Sequence, residues 1–285
     1  MEKTLLSFGH GYVAQTLAPL LLTRGWTIYG TTRNPNKVKD LQDQGVRPLL
    51  WGQDDIAAII AGATHIMSSV APAEGKDPVL AEFRQDIAQA APRLHWAGYL
   101  STTGVYGDHQ GGWVDETTPL APGTARGKAR VAAERGWADI PGLPLHVFRL
   151  PGIYGPGRSA FDRLRAGNAR RIIKPGQVFS RIHVDDIAQV LAASMAAPDP
   201  GAIYNVCDDE PAPSQDVIAH AAELLDLPLP PAVDFDTANL SPMARSFYSE
   251  SKRMRNDRIK TKLGITLHHP TYREGLAAIL ASDRA

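Results

Sequence analysis

Short apolar runs of β type alternate with helix-patterned stretches through the first 150 residues, and this rhythm narrows the possible folds more than any single motif does. Thr4 to Phe8, Thr27 to Thr31, Arg47 to Leu50, His65 to Val70, Ala97 to Ser101 and Leu145 to Leu150 read as strands. Between the first two, Val13, Leu17, Leu20, Leu21 and Arg24 recur at helical spacing, and Gly25 offers a stop. Parallel neighbours need a crossover, and a helical crossover packs right-handed over the sheet. The expected fold is α/β: a Rossmann-type, doubly wound parallel sheet with helices on both faces and a small C-terminal lobe that takes the substrate.

Past Leu150 the rhythm breaks at Pro151-Gly152, Gly155-Pro156-Gly157, Pro175-Gly176, Pro198 to Gly201, Pro211 to Pro213 and Leu227 to Pro231. Helices are expected over Val184 to Met195, Ser214 to Leu225 and Tyr272 to Ala281. The chain therefore divides into a Rossmann domain over residues 1–150 and a smaller lobe over 151–285, some of whose segments return to the first domain. Without a long linker or internal repeat, the two are expected to share an interface.

Thirty basic residues balance thirty acidic ones, and the chain is 44% hydrophobic. That composition excludes disorder and the basic footprint of a nucleic-acid partner. Cys207 is the single cysteine, which excludes an intramolecular disulfide and points to a reducing, cytoplasmic location. Apolar runs such as Leu17 to Leu22 fall far short of the roughly 20 residues that span a bilayer, so no membrane partner is expected. Met1-Glu2-Lys3 leads straight into a strand-like run without a signal-peptide pattern.

Gly9-His10-Gly11-Tyr12-Val13-Ala14 has the pattern G-x-G-x-x-A, after a strand and opening a helix. In that context the glycines bring backbone amides against a diphosphate at the helix N-terminus, which makes Gly9, His10, Gly11, Tyr12 and Val13 candidate dinucleotide contacts. Gly155-Pro156-Gly157-Arg158-Ser159-Ala160 repeats the pattern, but Pro156 lacks the amide such a loop uses, so it reads as an ordinary loop. An NAD site places Asp or Glu at the end of the second strand; here stand Thr31-Thr32-Arg33. A guanidinium there suits a 2′-phosphate, so Thr32 and Arg33 indicate NADP(H) over NAD(H). The plainer alternative is a solvated arginine ahead of the Asn34-Pro35 helix start.

Leu100-Ser101-Thr102-Thr103-Gly104-Val105-Tyr106-Gly107-Asp108, with the glycine turn, Asp115-Glu116, Arg149 through Gly157, Ile182-His183-Val184-Asp185-Asp186-Ile187-Ala188, Tyr204-Asn205-Val206 and Leu263-Gly264, resembles the extended short-chain dehydrogenase/reductases, the NAD-dependent epimerase/dehydratases. The resemblance implies that Thr102 is the catalytic hydroxyl on a substrate oxygen, that Ser69, Val70 and Pro72 line the cofactor, and that Pro151 and Ile153 lie near the nicotinamide. It also implies a homodimer, a common state in the family. A strand-end hydroxyl that merely satisfies local backbone is the alternative for Thr102.

One departure bears on chemistry. The family places Tyr-x-x-x-Lys downstream of the Val-Tyr-Gly segment, with a glutamate one helical turn beyond the lysine; with Glu134 setting the register, those positions hold Arg126 and Arg130. A guanidinium, with a pKa above about 12, exchanges no protons near neutrality. Three readings stand. Arg130 keeps the lysine's contact with the nicotinamide ribose while Arg126 clamps an anionic substrate; or Arg126, Arg130 and Glu134 form an exposed charge ladder; or the register shifts to Thr124 and Lys128.

Tyr106 is a second catalytic candidate, and Tyr154, Arg158, Arg181 and His183 are candidate substrate contacts, each with packing or surface charge as the alternative. The basic run Lys252-Arg253-Met254-Arg255 is either an anion site or surface charge, and His268-His269 lacks a third ligand at metal spacing, so no metal is expected. The function expected is an atypical NADP(H)-linked oxidoreductase or epimerase/dehydratase-like enzyme acting on a small anionic molecule. The rival is a non-catalytic NADP(H)-binding redox sensor or partner-docking protein.

Overall fold

A computed structural model describes residues 2–283. The chain runs β1 (Thr4–Phe8), α1 (Tyr12–Leu22), β2 (Thr27–Thr32), α2 (Val38–Asp43), β3 (Arg47–Leu50), α3 (Ile56–Gly62), β4 (His65–Ser68), α4 (Pro78–Ala90), β5 (Trp96–Thr102), β6 (Trp113–Val114), α5 (Ala125–Ala138) and β7 (Leu145–Leu150). It continues through β8 (Gly152–Tyr154), α6 (Ala160–Arg165), β9 (Arg171–Ile173), β10 (Arg181–His183), α7 (Val184–Ala196), β11 (Ile203–Asn205), α8 (Ser214–Leu224), β12 (Ala232–Asp234), α9 (Pro242–Phe247), β13 (Arg253–Met254), α10 (Asp257–Leu263) and α11 (Tyr272–Ser282).

Seven of the strands form one sheet in the order β11-β7-β5-β4-β1-β2-β3, and every pairing in it is parallel. The order reverses at β1, so the connections leave β1 and β4 in opposite directions and open a crevice at their carboxyl ends, where ligands of this architecture bind. One apolar layer holds Leu17, Leu21, Ile28, Phe148, Ile187 and Leu191 between the sheet and the pair α1 and α7. A second layer on the opposite face gathers Leu6, Phe8, Ile66, Phe83, Ile87 and Trp137. Tyr154, Phe161, Ile218, Tyr272 and Ile279 form the core of the smaller C-terminal lobe.

Gly98 lets the Trp96 indole lie across β5, since a Cβ there would meet that ring at 2.0 Å. The indole N–H then donates to Ser194 Oγ on α7 at 3.0 Å. In α1 the buried residues are Val13, Ala14, Leu17, Ala18 and Leu21, whereas Leu20 is 40% exposed and Arg24 lies beyond the helix. The helical face expected at Leu20 is thus displaced, because the small Ala14 and Ala18 turn inward where α7 lies alongside. β4 stops at Ser68, two residues short of its expected end, and Ser69 and Val70 turn toward the glycine loop.

A buried polar network joins α5 to the sheet. Arg149 on β7 donates to both oxygens of Glu134 on α5, at 3.2 and 2.8 Å, and through its third nitrogen to Tyr106 Oη at 2.9 Å. Ser101 donates its hydroxyl to the same glutamate, and Tyr106 donates to Asn205 Oδ1 at 2.8 Å. Arg149 and Glu134 are both buried, so removal of one partner strands the other's charge. Glu134→Ala is expected to lower stability by about 3–5 kcal/mol, read from denaturant unfolding. A loss below about 1 kcal/mol would show that water reaches the pair.

Candidate active site

The glycine turn sits at the carboxyl end of β1. Gly9 has φ +72°, and a Cβ there would lie 3.0 Å from Val70 Cγ2 and 3.2 Å from Ser69 Oγ. Ser69 donates its hydroxyl to Gly9 O, and the amides of Gly9 and His10 donate to Thr31 Oγ1 and Thr31 O at 2.8 and 3.0 Å. The turn is thus held from both neighbouring strands. At Gly11, the residue ahead of α1, no side chain caps the helix, which leaves the first-turn amides for an anion. The imidazole of His10 points away from that surface. It lies against Gly30 on β2, where a Cβ would come within 2.7 Å of its Cγ. Both ring nitrogens are buried without a partner among the described residues, and burial lowers the pKa to about 4.

At the end of β2, Thr32 Oγ1 accepts from Asn34 N at 3.1 Å, and Asn34 caps a short 3₁₀ turn over Pro35–Lys37. Arg33 is exposed between them. Neither Arg33 nor Arg126 has a carboxylate within ion-pair distance among the described residues.

Thr102 pairs in register with Leu150, so Thr102 and Pro151 mark the ends of adjacent strands. Thr102 Oγ1 accepts from Gly104 N at 3.3 Å and caps the 3₁₀ turn Thr103–Tyr106. The first turn of α5 docks on this turn through Gly127, where a Cβ would sit 2.6 Å from Gly104 O. Thr124 caps α5 by accepting from Gly127 N at 3.1 Å, and Lys128 is exposed. Arg130 is half-buried, donating to Leu100 O at 2.7 Å and to Tyr99 Oη at 3.1 Å. Arg126 is exposed, with its guanidinium 4.5 Å from the centre of the Phe247 ring. The exposed charge ladder is overturned: Glu134 is 7% exposed and paired inside.

Several expected contacts point elsewhere. The Tyr106 phenol is enclosed between Arg149 and Asn205, and burial raises its pKa, so it is no proton source for an open pocket. Tyr154 is buried against Gly275 and donates to Thr271 O at 3.3 Å, so it belongs to the lobe core. Arg181 donates to Phe179 O and Ala212 O, where it braces the lobe. His183, at 2% exposure, caps α7 by accepting from Asp185 N at 3.2 Å. Arg158 is exposed but lies over the Tyr12 ring at 5.9 Å, and Tyr12 donates to Pro156 O at 3.0 Å. The second glycine pattern is therefore a loop resting on the first.

Folding also assembles groups that linear spacing hides. His269 meets His183 and Asp185, their ligating atoms within 4.8 Å of one another, although His183 Nδ1 is engaged as the α7 cap. Lys252 donates to Gly107 O and pairs with Glu250 at 2.8 Å in a nearly buried bridge, and Arg255 stacks on Trp113 at 5.2 Å, so the basic run is dispersed. Phe247 beside Arg126 carries no motif, and only the fold brings it there.

The sequence matches the family model described as NAD dependent epimerase/dehydratase family over residues 8–207. A solved structure of a functionally unknown conserved protein from Silicibacter pomeroyi DSS is 63% identical, with a TM-score of 0.95, and the match covers 98% of this chain and 99% of that one. Protein YeeZ of Escherichia coli (strain K12) is 29% identical over 216 residues, 72% of this chain and 77% of its own length. The 3-diazoavenalumate denitrifying reductase of a Streptomyces species is 30% identical over 175 residues, 58% of this chain and 55% of its own length.

His10 and His183 are held near pKa 4 chiefly by burial, and so is His65, which His95 and Lys3 depress further. The unfolded chain takes up protons at these sites near the ordinary value of 6.5, so the folded state binds fewer protons in between. Their contribution to stability is present above about pH 6.5 and is lost as pH falls toward about 4. The urea midpoint is expected to drop over that window, with a shallower slope in His10→Asn; an unchanged slope in the variant would contradict the neutral, buried imidazole.

Proposed function

The chain belongs to the NAD dependent epimerase/dehydratase family of NAD(P)-binding, Rossmann-type proteins, and from that premise we propose an NADP(H)-dependent oxidoreductase or epimerase/dehydratase-like enzyme for a small, polar, anionic substrate. The residues present fit a dinucleotide: Gly9 leaves a cradle that a Cβ would fill against Val70 and Ser69, and the first turn of α1 is uncapped. Tyr12 and Val13 amides would hold the diphosphate, Thr32 and Arg33 a 2′-phosphate, Ser69, Val70 and Pro72 the wall of the cleft, and Arg130, Pro151 and Ile153 the nicotinamide riboside. When bound, the nicotinamide supplies the hydride donor or acceptor.

The observation that carries the reading is the docking of Gly127 on Gly104, which sets an unpaired, exposed Arg126 next to the Thr102 turn. Thr102 then donates its hydroxyl to the reacting oxygen, and Arg126 holds a carboxylate or phosphate of the substrate in a charge-assisted contact. With arginines in the tyrosine and lysine positions and Tyr106 enclosed, proton exchange falls to water. A relative named as a reductase supports the redox reading. The second reading, an NADP(H)-binding sensor or docking protein, is favoured by that same lack of an acid–base side chain.

Two measurements test these readings. Arg33→Ala is expected to reduce the ratio of NADPH to NADH affinity by about tenfold or more, as for loss of a charge-assisted phosphate contact; an unchanged ratio refutes the NADP(H) preference. In a screen of carbonyl and alcohol acids followed by cofactor absorbance, Thr102→Val is expected to reduce turnover by about tenfold or more. Cofactor binding with no turnover across the screen would favour the sensor.

A further inference from the structure

The short helix α9 buries none of its six residues, yet it is held firmly at its C-terminal end. Tyr248, just past the helix, is wedged between Phe179 and Phe235 at ring separations of 5.2 and 5.1 Å, and Lys174 donates to its carbonyl. Arg245 donates to Ala238 O at 2.9 Å and lies over the Phe235 ring. These contacts hold α9 so that Phe247 meets Arg126. Met243 and Phe247, four residues apart on one face, are 68% and 50% exposed. An isolated exposed apolar side chain needs no account, but here Phe247 lies against a cation that has no carboxylate partner among the described residues, and Met243 is one helical turn from Phe247.

We infer that Arg126, Phe247 and Met243 form a composite substrate subsite, shared between α5 and α9, which selects a carboxylate carrying a flat apolar group such as an aromatic or conjugated chain. This rests on the reading of Arg126 as the anion clamp and adds the apolar half of the recognition. The guanidinium carbon lies 4.5 Å from the centre of the Phe247 ring, a contact that leaves the N–H groups available for a bidentate carboxylate. The body of such an acid would then cover Phe247 and Met243, which α9 leaves in water. A small, strongly hydrated anion gains only the charge contact. A neutral analogue gains only the apolar one and leaves the guanidinium without its partner.

Isothermal titration of the full chain with trans-cinnamate, acetate and neutral cinnamyl alcohol tests this, first without dinucleotide and then with saturating NADP⁺. Cinnamate is expected to bind about tenfold or more tightly than either of the others. Phe247→Ala should weaken cinnamate severalfold while leaving acetate as it was, and Arg126→Ala should weaken both acids. Phe247→Leu, which keeps an apolar surface, should fall between wild type and Phe247→Ala. Since α9 buries no side chain, these Phe247 variants should keep the wild-type melting temperature, which separates lost contact from lost fold. Cinnamyl alcohol equal to cinnamate, Phe247→Ala equal to wild type, or no cinnamate binding at millimolar concentration each overturns the subsite. Failure of the chain to bind NADPH or NADH, with the cinnamate pattern intact, overturns the proposed function and leaves the subsite standing.

Discussion

The bidentate contact between Arg149 and Glu134 fixes where the α5 side of the site lies. It ties α5 to β7 from within the protein, and through Ser101 and Tyr106 it reaches β5 and β11 as well. Low dielectric makes such a network costly when incomplete and rigid when complete. With Glu134 anchored, helical geometry sets Arg130 one turn earlier against the β5 backbone, and Arg126 a further turn away at the surface. The absence of a Cβ at Gly127 then allows α5 to close on the Thr102 turn. A buried ion pair thus positions two exposed or half-exposed cations that share its helix.

That arrangement separates binding from proton transfer. The glycine turn, the uncapped α1 and the crevice at β1 and β4 are the parts from which a dinucleotide site is built. Tyr106, four residues past Thr102, is spent on the network, its hydroxyl donating to Asn205. Under the proposed function, guanidinium groups stand where the family has a phenol and an ammonium, and such a pocket would recognise an anion strongly and have little capacity to exchange a proton. A substrate that brings its own acidic proton, or exchanges one with water, suits such a pocket better than one that relies on the enzyme.

The sheet was legible because parallel strands buried on both faces read as apolar runs, and the six strands expected from the first half all form. The seventh, Ile203–Asn205, is too short to show a period, and only its pairing with β7 reveals it. Gly9 and Gly127 illustrate the two limits in the site. Gly9 sits in a motif whose mechanism is local, whereas Gly127 matters through Gly104, across the fold from it in sequence. Tyr154, Arg181 and His183 carried the right chemistry for a site, but side-chain direction is settled by long-range packing, and their polar atoms meet Thr271, Ala212 and the α7 backbone. Phe247 had no signature because its meaning comes from Arg126, more than a hundred residues away.

The central claim is that a dinucleotide cleft and an unpaired arginine converge on Thr102. A crystal structure of the chain grown with NADP⁺ tests it most directly. The account predicts the diphosphate on the first-turn amides of α1, the 2′-phosphate at Arg33 and the nicotinamide between Thr102 and Pro151, with Arg126 facing the open side. A nicotinamide lodged away from Thr102, or Arg126 folded onto the cofactor's own phosphates, would contradict it.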